Sequence, residues 1–302
     1  MRIFKVHLVL HTQVTVGTHR CRERSHKLVC KAREYSGRVN HLRKQFPVWG
    51  TIVDVDCYST SVGGADLDRA MDSVIKFCED VDRDFSTYKD GSWVSWLRAG
   101  KVGIVDCPND VQQVWELCLR AKDLSDGAFD SWSVAGGFDP SGLVKGWAAD
   151  KCADMLVAAG VAHVQVNAAG DLTLRGGNLL DSGEVEPWKI GVSNPDNTQE
   201  VLRIFEIYDG AIATSGHYER GAHIIDPFSG VIAIGARSAT VIGPDGGLTD
   251  AMATALMVTG DDGAKFFMQP ELAQYSAWCI DRHEGTAWGV GPALADEIAA
   301  QN

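Results

Sequence analysis

The 302-residue chain has no Cys-x-x-Cys pair, no Gly-x-Ser-x-Gly element and no apolar run long enough to span a bilayer. Each absence excludes a class. The eight cysteines (21, 30, 57, 78, 107, 118, 152 and 279) form no regular framework, so they read as reduced, mostly buried thiols rather than staples. Without about 18 consecutive apolar residues no spanning helix is expected. The apolar stretch Ile3 to Val16 is broken by Lys5, His7, His11 and Gln13, which leaves no signal-peptide core. A lipoprotein site needs a small residue before its cysteine, but Arg20 precedes Cys21 and Val29 precedes Cys30. Cytoplasm is the default expectation. The missing Gly-x-Ser-x-Gly removes an α/β-hydrolase, and His and Cys without ligand spacing remove a zinc set.

What is present is an uneven charge. Residues 1–46 hold eleven Lys and Arg against Glu23 and Glu34, whereas residues 47–302 hold 17 basic and 38 acidic groups. A basic arm of +9 therefore precedes an acidic body of −21. The arm is expected to be a poorly ordered leader or a mis-set translation start, the alternative being contact with nucleic acid or anionic lipid. The body repels phosphate at long range, so nucleic acid is an improbable partner and any phosphate ligand needs local devices.

Periodicity outlines the body. Trp49 to Cys57 alternates as a half-buried strand, and Leu67, Ala70, Met71, Val74, Phe77, Cys78 and Val81 recur as one apolar helical face. Pro108 opens a second helix and Lys145 to Ala159 a third, followed by a strand over His163 to Asn167. Further strands are expected at Leu172 to Arg175, Trp188 to Ser193, Leu202 to Tyr208, Ala211 to Thr214 and Ser238 to Ile242. A fourth helix is expected from about Thr249 to Gly260, with a short fifth closed by Pro270. Strands and helices without strict alternation predict an α+β fold of mixed or antiparallel sheets, in one compact domain over 47–302.

Three clusters could carry chemistry. Gly136 to Asp150 puts glycines, Asp139 and Lys145 at a helix start, where free N–H groups favour an anion; it could also be an ordinary Gly-rich turn. Thr214 to Pro227 holds His217, His223, Arg220 and Asp226, enough for a base and a phosphate contact, or a capped loop. Asp250 and Thr254 lie four apart, so on a helix both oxygens share one side and could hold a hard cation such as Mg²⁺. Equally, Thr249 or Asp250 could be a helix N-cap.

In this order the clusters resemble the FAD:protein FMN transferases, the ApbE family. The resemblance runs from about Val48 to Gly291. It is carried by Gly50-Thr51, Phe85-Ser86-Thr87-Tyr88 with Ser92, Gly127-Ala128-Phe129-Asp130 and the stretch from Asp139 to Asp150 with Lys145-Gly146. Asn167-Ala168-Ala169-Gly170-Asp171, Thr214-Ser215-Gly216, His223-Ile224-Ile225-Asp226-Pro227 and Thr249 to Thr254 complete it. The resemblance implies a Mg²⁺-dependent reaction in which FAD is the substrate, AMP leaves and FMN is joined to a Thr or Ser of an acceptor protein. It implies that Asp139, Lys145, Ile225, Trp49 and Tyr88 contact the flavin dinucleotide. It also implies that Gly142, through its carbonyl, and the side chains of Asp250 and Thr254 bind the metal, and that His223 assists the acceptor hydroxyl.

The departures are specific. Trp49 stands where many members have Met, and only Ser131 to Phe138 stands in place of a longer insertion, so Trp132 is expected to help rebuild that wall. The family's acceptor motif, Asp-x-x-(Ser/Thr)-Gly-Ala-(Thr/Ser), has a near match in Asp123 to Phe129, with Phe129 in place of the hydroxyl; no self-flavinylation is expected. An FAD pyrophosphatase releasing FMN and AMP, or a non-catalytic FAD-binding protein, are the alternative readings.

Overall fold

Eight antiparallel strands, in the order β1-β2-β3-β4-β9-β10-β11-β12, make the central sheet of the computed structural model. It describes residues 39–180, 182–216, 224–282 and 286–295. In chain order the strands are β1 (Asn40–Val48), β2 (Thr51–Ser59), β3 (His163–Ala168), β4 (Asp171–Arg175), β5 (Asn178–Leu179) and β6 (Val185–Glu186). Then come β7 (Trp188–Asn194), β8 (Asn197–Ile207), β9 (Gly210–Gly216), β10 (Ala236–Gly243), β11 (Ser276–Asp281) and β12 (Ala287–Val290). The helices are α1 (Gly64–Phe85), α2 (Trp93–Arg98), α3 (Asn109–Leu124), α4 (Val144–Ala158) and α5 (Gly246–Thr259). The α+β class expected from the sequence is what the chain adopts.

Alternation along the strands assigns the faces. Val53, Val55 and Cys57 of β2 join Val164 and Val166 of β3 in a core with α1 and α4. On the opposite face Leu172, Leu174, Ile212, Trp278 and Ile280 are covered by Trp188, Ile190, Val192, Phe205 and Ile207 of the β7–β8 hairpin. A third core gathers α3, α5 and the loops between α3 and α4. All six described cysteines are free and buried; Cys78 of α1 and Cys152 of α4 bring their Sγ atoms to 3.4 Å. Among the described residues no helix is long and apolar enough to cross a membrane.

Two expectations are corrected here. The boundary between arm and body does not fall at residue 46: Asn40 to Phe46 belong to β1, in register with β2 from Asn40 opposite Ser59 to Val48 opposite Thr51. Arg43, counted as part of a loose basic arm, donates to Asp54, which also accepts from Gln45 Nε2 at 3.0 Å, and His41 Nε2 lies 2.7 Å from Asp56. Both aspartates are buried, so the β1 side chains are the partners that make their burial tolerable. Residues 1–38 lie outside the described residues. The fourth helix starts earlier than expected: Asp245, not Thr249 or Asp250, is the N-cap of α5, accepting from Leu248 N at 2.9 Å. Asp250 thereby falls on the second turn of a buried helix, where no capping role explains a carboxylate.

Candidate active site

Two helices that cross at glycine build the site. A Cβ on Gly146 would stand 2.1 Å from the carbonyl oxygen of Gly246, and one on Gly246 would stand 2.4 Å from that of Gly146. Only two glycines allow this backbone approach. Asp150, one turn along α4, fastens the crossing by accepting from the Gly246 amide at 2.6 Å and from Thr173 Oγ1 at 2.8 Å. Burial is the main cause that pushes the Asp150 carboxyl from its ordinary 3.8 up to about 6, against the lowering effect of those two donors.

The crossing brings Lys145, at the start of α4, against α5. Its Nζ is ion-paired with Asp171 at the start of β4 and lies 3.3 Å from Asp250 Oδ2. Asp171 and Asp250 are 6% and 4% exposed, so this one ammonium lies against two buried carboxylates. One turn beyond Asp250, Thr254 Oγ1 lies 3.4 Å from Ser215 Oγ of β9. The loop before α4 closes the other side. Asp139 accepts from the Ser141 amide at 3.0 Å while its own amide donates to Ser131 O at 2.7 Å, and Arg98 holds the loop through Ala135 O at 2.7 Å. Gly142 is set beside Thr254: a Cβ there would lie 3.5 Å from Thr254 Oγ1 and 3.2 Å from the Phe129 ring.

Lys145, Asp171, Asp250, Thr254, Ser215 and the loop before α4 line a cavity of about 200 Å³. Of the residues expected from the sequence, Asp139, Gly142, Lys145, Ile225, Asp250 and Thr254 share its wall. Two do not join them. Trp49 sits in the two-residue turn between β1 and β2 with φ 55°, and its indole Nε1 donates to Cys78 O of α1 at 3.0 Å, so it anchors a hairpin. Tyr88 is 95% exposed on the loop after α1. His223 lies outside the described residues. Trp132 does not rebuild the cavity wall either: it packs on Trp115 and Phe138 at ring separations of 4.8 and 5.2 Å, while Ser131, Ser133 and Val134 face the cavity. Asp171 and Ser215 were not singled out from the sequence. Each lay inside a motif quoted for the resemblance, yet only the sheet brings them to Lys145 and Thr254.

The donor set suits a hard cation: a carboxylate and a hydroxyl on one helix face, with Gly142 beside them and space in front. Among the described residues no group of three or more His, Cys, Asp or Glu is placed to hold a metal. A cation bound here would keep coordination positions for ligand oxygens.

Residues 134–277, which contain all six cavity-lining expectations, match the sequence profile of the ApbE family. Through this segment the chain is similar to the ApbE family. The FAD:protein FMN transferase of Vibrio cholerae serotype O1 is 37% identical over 134 residues, covering 41% of this chain and 39% of that protein. The protein of the same description from Escherichia coli K12 is 35% identical over 148 residues, covering 45% and 41%. The chain thus spans about two-fifths of the length of the curated relatives it matches. The fold likeness extends further. The flavin transferase ApbE of Vibrio cholerae superposes with a TM-score of 0.70 at 21% identity, over 86% of this chain and 99% of that one. The Thermotoga maritima ApbE protein gives 0.67 at 22% identity, over 82% and 96%. Trp49 and Tyr88 lie outside the segment that matches the ApbE profile.

Proposed function

We propose that this chain is a Mg²⁺-dependent FAD:protein FMN transferase. The observation that carries the reading is the shared wall: Asp139, Gly142, Lys145, Ile225, Asp250 and Thr254, scattered over more than a hundred residues, line one cavity. Asp139 and Ile225 hold the dinucleotide, and Lys145 meets its diphosphate as a point charge at a helix start. Asp250 and Thr254, with the Gly142 carbonyl, would hold Mg²⁺, which when bound would supply neutralising charge to the diphosphate. The hydroxyl oxygen of an acceptor Ser or Thr bonds to the FMN phosphorus, the bond to the AMP phosphate breaks, and His223 takes the hydroxyl proton. The acceptor is a separate protein with an Asp-x-x-(Ser/Thr)-Gly-Ala-(Thr/Ser) segment, because Phe129 occupies the hydroxyl position of the chain's own near match.

The test is incubation with FAD, Mg²⁺ and a peptide carrying that segment, read by mass spectrometry. A peptide bearing FMN with one AMP released per transfer is the expected result. AMP release without any covalent flavin assigns the chain as a pyrophosphatase instead. Bound FAD with neither product leaves a binding protein.

A further inference from the structure

We infer that Lys145 is a resident counter-ion of Asp250, which a divalent cation has to displace and which an arriving diphosphate draws away. The inference rests on the metal reading above and adds an order of events to it. Asp250 and Asp171 are almost fully buried, and a buried carboxylate without a countercharge is costly. Lys145 supplies that charge to both, by its ion pair with Asp171 and its 3.3 Å approach to Asp250 Oδ2. A divalent cation binds a carboxylate oxygen at roughly 2.1 Å, so an ammonium 3.3 Å from the same oxygen would be repelled strongly in a poorly solvated cavity. The two cations therefore compete for Asp250.

The geometry also provides the release. Lys145 has an unbranched stem, lies at the first turn of α4 and keeps Asp171 as a second partner when it leaves Asp250. A diphosphate entering the cavity meets that ammonium and lowers its competition, so anion and metal favour each other's binding. Metal alone should bind weakly. Lys145 acts here through Asp250, as a positioning residue.

The test is Mn²⁺ titration of the full chain without nucleotide, followed by electron paramagnetic resonance. Lys145→Gln and Lys145→Met are expected to tighten Mn²⁺ binding at least about tenfold, whereas Lys145→Arg stays near wild type. Lys122→Gln removes a charge that pairs with cavity-lining Asp130 at 2.7 Å and is expected to change affinity less than about twofold. A merely structural lysine would give weaker binding when removed. Equal tightening in the Lys122 and Lys145 variants overturns the inference, because bulk charge would explain both. Unchanged affinity in Lys145→Gln, with Asp250→Asn weakened, overturns it while sparing the metal site. Asp250→Asn binding Mn²⁺ like wild type overturns the metal reading itself, and the inference with it. A measurement on unaltered protein guards against misfolded variants. The Lys145 Cε–Hε NMR signal, assigned by its absence from Lys145→Arg, should shift on Mg²⁺ addition, and a signal unmoved at saturation overturns the inference.

Discussion

Helix α1 and the pair α4 and α5 support the same sheet, yet they are built on opposite rules. α1 buries one stripe, Leu67, Met71, Val74, Cys78, Val81 and Phe85, and turns its charged residues to water. In α5 every residue from Gly246 to Ala253 is buried, and the middle of α4 from Gly146 to Ala149 is buried on all sides. A polar residue on α1 can be satisfied by solvent and needs no partner. On α4 and α5 it must be satisfied by the protein or by something that enters the cavity. Lys145, Asp150, Asp250 and Thr254 are therefore informative in a way that the acidic groups of α1 are not.

The contrast is broken most severely at the helix crossing. Gly146→Ala is expected to cost on the order of 3 kcal/mol or more, because the added methyl meets backbone that cannot move aside. Urea unfolding should show this, while Asp68→Ala on the exposed side of α1 stays within about 0.5 kcal/mol of wild type. Equal losses would mean that the two regions are not built differently. Next in size, Asp250→Ala is expected to lower Mg²⁺-dependent transfer about a hundredfold or more, with the thermal unfolding midpoint little changed. A rate equal to wild type removes the metal assignment.

Asp150 sharpens the comparison through pH. Its folded value, about 6, lies above the ordinary 3.8, so between these values the folded chain keeps a proton that the unfolded chain has lost. Its contribution to stability is therefore fully present below about pH 3.8 and is lost as pH rises through 6. Measured against Asp150→Asn, wild type should lose on the order of 2 kcal/mol across that window and be parallel above it. Parallel curves throughout would show that Asp150 titrates normally. The smallest effect is expected at Tyr88: Tyr88→Ala should leave FAD affinity within about twofold by fluorescence quenching, since the ring is solvated and away from the cavity.

The same contrast explains what was legible in the sequence. The α1 stripe repeats at three and four because water lies on its other side, and the alternation at Val53, Val55 and Cys57 is equally plain. β1 was lost in a charge count: Arg43 and His41 count only toward the arm until Asp54 and Asp56 of β2 are known to be their partners. β11, buried along Ser276 to Ile280 on both faces, has no alternation to read. In the site, Asp250 and Thr254 were visible because four residues of helix set both. Asp171 was not, because it meets Lys145 only through the β3–β4 pairing and a sequence separation of 26.

The bond from Asp150 to the Gly246 amide spans 96 residues of chain. During synthesis α4 emerges long before α5, so the face it will bury has no cover until the sheet strands between them are made. Long-range closures of this kind come late, after local hairpins have formed. The cavity is therefore complete only when the fold is, and ligand uptake serves as a reporter of finished folding: a nascent chain ending before Gly246 has neither Asp250 nor a crossing for Lys145 to lean on.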